Sequence, residues 1–287
     1  MDFNDLIFKR LAEFPGIALK LATFSGAPAV FNSEFPSDEQ EGWGDSQYPR
    51  ISFRTDMQTN QERSADGVLQ ISVYSDKESL IIDEIEDAVK RCLQDVLMKP
   101  SDEAPFCVSW MKTEGYRIEG TEVICQNVVF DILEYSSQIT TDPDPVLAVS
   151  NYLKELYPNV NVLGVDKLGD VTLTTERPAF YCRLVNIQKT TGHCEHSISW
   201  MLGKMAVHLI CPNPEMRLQM LSEIYRRIAI DEEIIMLDDS PMEIKELVLD
   251  NKADYLREGQ LTVVGKYGCL KTVEKKQDLR YFSFSIS

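Results

Sequence analysis

The chain has 287 residues, a net charge of −17, and 44% apolar and 26% charged residues, the composition of a globular protein with room for two domains of ordinary size. The acidic balance excludes sequence-independent nucleic-acid binding, which needs clustered Lys and Arg on phosphates. No apolar run reaches the roughly 18 residues of a membrane helix. "MDFNDLIFKRLAEF" lacks the basic start and continuous apolar core of a secretion signal, so cytoplasmic expression is the default expectation.

In chain order, "FNDLIFKRLAEF" places Phe3, Leu6, Ile7, Leu11 and Phe14 on one helical face, and Pro15-Gly16 ends it. A polar, turn-rich stretch, "NSEFPSDEQEGWGDSQ", carries Phe35 and Trp43. "YPRISF" and "GVLQISVYSD" then alternate as strands, aligning Ile51 with Phe53 and Leu69 with Ile71 and Val73. Between them lies a long polar connection, Thr55–Gly67, without Cys or His. "KESLIIDEIEDAVKRCLQDVLM" reads as a helix with an Ile81, Ile85, Ala88, Val89, Cys92, Leu93, Val96 stripe, stopped at Lys99-Pro100. Two more strands follow, turning near Glu119-Gly120.

"SSQITTDPDP" reads as a linker, with Asp144 as N-cap and Pro145 in the first position of the next helix. The second half then repeats the order of the first. "PVLAVSNYLKELYPNV" is a helix, "PAFYCRLVN" stands where "YPRISF" stood, and "GKMAVHLICPN" stands for "GVLQISVYSD". "PEMRLQMLSEIYRRIAI" is the second strong helix, with Leu218, Leu221, Ile224, Tyr225 and Ile228 in line, and two strands close the unit. Gly67 matches Gly203, 136 positions on, and "YRIEG" at 116–120 matches "YLREG" at 255–259. The expected fold is α+β in two similar domains, each an antiparallel sheet with helices on one face. Their bounds are 1–137 and 145–287, joined by a linker at 138–144. Residues 1–140 carry 12 basic and 25 acidic residues, against 17 and 21 in the remainder, so the halves meet unlike environments.

The seven cysteines are odd in number and form no C-x-x-C pair; most sit in apolar patterns, as buried free thiols do. "GHCEHS" holds the best metal candidates, His193, Cys194 and His196, but zinc needs three or four convergent ligands and the H-E-x-x-H spacing is missing. It reads as a polar loop and leaves a metal-dependent enzyme as a remote alternative. His208 alternates with Val207 and Leu209 and is structural. Asp83, Glu84, Glu86 and Asp87 lie on the polar face of their helix. No catalytic or cofactor motif is present, and the expectation is a protein that is not an enzyme, with no cofactor and no metal. "RYFSFSIS" at the end alternates Phe282, Phe284 and Ile286 with serines. It suits an extra edge strand, either in its own domain or added to a sheet edge of a neighbouring subunit.

Residues 3–135 combine a short amphipathic helix, a polar crossing to "YPRISF", a long hydrophilic hairpin, "ISVYSD" running straight into "ESLIIDEIEDAVKRCL", and a final strand pair. This order and spacing resembles the tail-terminator (tail-completion) proteins of long-tailed bacteriophages. Members of that family are commonly single domains of about half this length, so two copies in one chain depart from the pattern. The resemblance implies a virion protein assembled in the host cytoplasm: a ring at the head-proximal end of the tail. That ring ends polymerisation of the tail tube protein and offers a surface to the head–tail connector protein. It would contact sheath protein if the tail is contractile. DNA passes through the lumen without specific binding, which an acidic chain suits. Self-association into six chains is favoured and three chains is possible, and no membrane is involved. Candidate assembly contacts are Phe35 and Trp43 in the first loop, and Asp56, Met57, Glu62, Arg63 and Asp66 in the second, with Phe282, Phe284 and Ile286 at the end. The alternative within the virion is another neck component, a head–tail connector or collar protein.

Overall fold

The computed structural model describes residues 2–62, 64–76, 79–101, 103–166, 177–190 and 197–271. Arg63, the 193–196 cluster, Phe282, Phe284 and Ile286 lie outside the described residues. The fold is mixed α+β with three sheets.

The chain opens with α1 (Phe3–Glu13). Asp2 and Asp5 close its first turn in a reciprocal capping box, each carboxylate accepting from the other's backbone N–H. Pro15 does more than end this helix. It occupies the first position of a second short one, α2 (Pro15–Ala18), because proline's fixed φ suits a helix start as well as a stop. A small hairpin, β1 (Thr23–Phe24) and β2 (Ala27–Pro28), leads to β3 (Val30–Asn32), β4 (Arg50–Asp56), β5 (Gly67–Ser75), α3 (Ser79–Leu93), β6 (Phe106–Arg117) and β7 (Ile124–Glu134). The helix α3 stops seven residues before Pro100. Asp95 adopts a left-handed conformation (φ 61°) and its N–H donates to Val108 O, which draws the chain onto the sheet edge while Val96 stays buried.

The second half holds α4 (Pro145–Leu156), β8 (Asn161–Val162), β9 (Ala179–Lys189), β10 (Ile198–Ile210), α5 (Pro214–Asp231), β11 (Glu233–Ile235), β12 (Pro241–Leu249) and β13 (Leu261–Leu270). Asp144 caps α4 and Asn213 caps α5, each with proline next. The expected antiparallel sheets are in fact mixed: β3 runs parallel to β4, and β8 to β9. The crossing loop after β3 carries the chain back to the starting end of its sheet, as a parallel pair requires.

The two large sheets share one plan. Their orders are β3-β4-β5-β7-β6 and β8-β9-β10-β13-β12-β11. Register agrees as well as order. Ile51 pairs with Val73 and Phe53 with Ile71, as Phe180 pairs with Leu209 and Cys182 with Val207. Leu69 faces Phe130 as Met205 faces Val263. From Gly67 and Gly203 onward, a constant shift of 136 positions equates Ile85, Ala88 and Cys92 of α3 with Leu221, Ile224 and Ile228 of α5, all buried. It also equates the Met98–Phe106 bridge with the Ile234–Met242 pair of β11 and β12. The shift falls to 133 in the last strand, where Val128 stands opposite Ile71 as Leu261 stands opposite Val207. "YRIEG" begins in β6 and ends in its connection to β7, whereas "YLREG" lies wholly in the β12–β13 connection, so the two are not in the same register. Their glycines, Gly120 and Gly259, both take positive φ (78° and 81°) before the final strand.

Apolar side chains of each sheet's core face pack under its helices. Leu6, Ile7, Leu11, Ile85 and Val89 meet Ile51, Phe53, Ile71 and Phe130 in the first half; Val149, Leu153, Leu221, Ile224 and Ile228 meet Phe180, Val207 and Val263 in the second. The stripe read for α5 is narrower than expected. Leu218 and Tyr225, equivalent to buried Ile82 and Val89, are exposed.

Gly67 starts β5 where the backbone of β4 is nearest: a Cβ would lie 2.6 Å from Asp56 O. Gly67→Ala should lower the unfolding free energy by about 1–3 kcal/mol. Gly115→Ala, where no neighbour lies closer than 3.7 Å, should cost nothing measurable. Urea denaturation of the two variants checks the contrast.

Candidate functional site

Three regions hold the side chains that position a working surface. The first is the loop between β3 and β4. Arg50 is buried, with its guanidinium 3.9 Å from the Phe35 ring centroid, 4.4 Å from Tyr48 and 5.5 Å from Trp43. Its Nη1 donates to Asp38 Oδ1 (2.6 Å) and its Nη2 to Tyr48 Oη (3.0 Å). Trp43 stacks edge-on against Phe24 and Phe31 and donates from Nε1 to Ser37 O. The cation and the rings hold each other, so Phe35 and Trp43 are fixed within their own half. Phe35 also packs edge-on against Tyr74, 5.1 Å away, at the end of β5.

The second region is the β4–β5 connection. Asp56 ends β4, so the connection is shorter than Thr55–Gly67, and Asn60 and Ala65 pair across it. Met57 and Glu62 are exposed. Asp66 is engaged within the chain, its Oδ2 accepting from the Glu134 N–H (2.8 Å).

The third region, where the two sheets meet, escapes the sequence reading. Ala65, Leu97, Cys107, Leu133 and Tyr135 of the first half pack against Leu163, Ala179, Tyr181, Ile210 and Leu256 of the second in one buried cluster. The polar contacts are specific. Arg257 Nη2 donates to Asp131 Oδ2 (2.8 Å), Tyr135 Oη to Leu256 O (3.2 Å) and Tyr181 Oη to Ser136 O (2.9 Å). His208 sits at the centre. Arg183 Nε donates to its Nε2 (3.1 Å), and its Nδ1 lies 3.0 Å from Tyr255 O. A neutral ring with the proton on Nδ1 satisfies both contacts. Burial, then the Arg183 charge, pulls its pKa down to about 4. Burial likewise raises the Asp95 carboxyl, which lies beside Tyr255, and Arg217 stacks 3.6 Å over the Tyr255 ring. One signal for this joint was legible: "NVVFDILEY" does not alternate, as expected for a strand covered on both faces.

Burial raises the thiol pKa of Cys92 to about 11 and of Cys182 to about 12, and the six described cysteines are free. Asp83 accepts from Gln126, Glu84 pairs with Lys20, and Glu86 with Lys90 and Thr113; these carboxylates tie α3 to its neighbours. Among the described residues no three metal-ligating side chains converge, and no helix is long and apolar enough to cross a membrane. No protein-family model matches the chain, and no curated protein matches its sequence.

The His208 ring makes the joint pH-dependent. Its folded pKa lies below the unfolded value of about 6.5, so the unfolded state binds more protons between those limits. The stabilisation is complete above about pH 6.5 and is lost as pH falls toward about 4. Between pH 7.5 and pH 4.5 the wild type should lose about 2–3 kcal/mol more than His208→Gln. Denaturant titrations of both proteins at the two pH values measure the difference.

Proposed function

We propose that this protein is a structural component of a long-tailed phage virion. In this reading it is a ring at the head-proximal end of the tail that ends tube polymerisation and presents a docking surface to the head connector. The observation that carries the reading is the repeated plan: an N-terminal helix, a short strand, a long crossing, a hairpin, a helix and a last hairpin, present twice in matching register. We take each sheet with its helices as one terminator-like unit, and the chain as a tandem of two. The net charge of −17 supports a lumen through which DNA slides without holding to cations. The functional groups described at the joint bond to one another within the chain, which supports an architectural role for them over a catalytic one.

Deleting the gene from its phage should give tails whose tubes run past their normal length. Purified protein added to polymerising tube protein should cap tubes at amounts far below one per tube subunit. Tails of normal length that fail to join heads would instead identify a connector, and unaltered virions would overturn both readings.

A further inference from the structure

The joint between the two sheets is a head-to-tail contact. The first half contributes the end where β5 begins and β7 ends, through Ala65, Asp131, Leu133 and Tyr135. The second half contributes the opposite end, where β9 begins and β10 ends, through Tyr181, His208 and Ile210. Because the halves share one register, each surface has a counterpart that the joint leaves unused. The counterparts of Tyr181, Arg183, His208, Ile210 and Gln260 are Ser52, Arg54, Ser72, Tyr74 and Asn127 of the first half.

These residues line one open cleft of about 450 Å³ on the helix-free face of the first sheet. Its side chains are already ordered: Arg54 donates to Gln70 (3.0 Å) and Ser72 to Asn127 (2.7 Å). Tyr116, 48% exposed, lines it as well, and Phe35 packs on Tyr74 beside it. At the far end of the second half, the counterparts of Asp131, Leu133 and Tyr135 are Val264, Lys266 and Gly268, with Leu270 following on the same face, 79% exposed; Met201, the counterpart of Ala65, packs against the core of its own half. Glu243, the counterpart of Cys107, stands across from Lys266 and pairs with Lys245.

We propose that this cleft is the seat for a second copy of the chain, whose second half enters with the Val264–Leu270 end. The contact between chains then repeats the contact within the chain. A heterologous contact of this kind propagates until rotation closes it. The closure into a ring rests on the terminator reading, whereas the contact itself rests on the shared register. In the closed assembly first and second halves alternate. The seat is polar, lined by Ser52, Arg54, Gln70, Ser72 and Asn127. That suits a contact made between separately folded chains, since such interfaces are about as polar as the rest of the surface.

The test uses two full-length variants, each with one surface blocked and each checked for folding by circular dichroism. Ser72→Trp fills the seat; Glu243→Lys with Leu270→Arg makes the entering end cationic, so that Arg54 of the seat repels it. Each alone should stay monomeric at concentrations where the wild type assembles. Mixed, they should give a one-to-one heterodimer and nothing larger, because one intact seat and one intact entering end remain. Mass photometry reads all three samples. Assembly of either variant alone at the wild-type level overturns the proposal and leaves the ring reading standing. Folded variants that fail to pair when mixed overturn it too. A wild type that stays monomeric at every concentration, alone and with tube protein, removes the proposal and the ring reading together. Leu218→Glu with Tyr225→Arg, on the exposed flank of α5, should assemble as the wild type does; loss of assembly there and not at the seat overturns the proposal in favour of a helix-face contact.

Discussion

The contact that organises this molecule is the buried joint between the sheets. Asp131 is almost fully buried and meets the Arg257 guanidinium at 2.8 Å. A buried carboxylate is tolerated only beside such a partner. The pair therefore fixes which end of one sheet meets which end of the other. Around it Tyr135, Tyr181 and His208 pack together, and the two tyrosine hydroxyls and both ring nitrogens of His208 have partners within the chain. The α4 entry, the linker and the hairpin before β13 are placed by this contact: Gln138 accepts from the Leu184 N–H, and Thr141 bonds the Tyr267 hydroxyl.

The same packing explains why matched positions carry unlike residues. Two units with one backbone plan meet by opposite ends, so no surface is in the same environment twice. Ser72 lines an open cleft where His208 faces a neighbour, and Asp131 pairs with Arg257 across the joint where Val264 stands beside Lys204 of its own sheet. Two sheets of one plan in head-to-tail contact use one end of each and leave the other end of each outside the joint.

Much of this was legible in the sequence. The strand–loop–strand–helix order of each half, the Asp144 cap, the alternation in "YPRISF" and "GVLQISVYSD" and the match of Gly67 with Gly203 follow from local patterns, and the sheets follow them. Other features were not legible. The α3 terminus depends on Val108, fifteen residues beyond the helix. The parallel pairing of β3 and β8 depends on where a crossing loop lands. Phe35 and Trp43 could be read as anchors for a neighbour because nothing in their segment announces that Arg50 lies beneath them. The joint was hidden for a simpler reason: an apolar strand signals that both faces are covered but never says by what.

The central claim is that the contact within the chain is also the contact between chains. Averaged electron microscopy images of the assembled protein at a resolution that traces strands test it most directly. First and second halves should alternate around one ring, with the Ser72 cleft filled by the Val264–Leu270 end of the next chain. A ring in which first halves touch only first halves, with second halves in a separate layer and the cleft open to solvent, would contradict it.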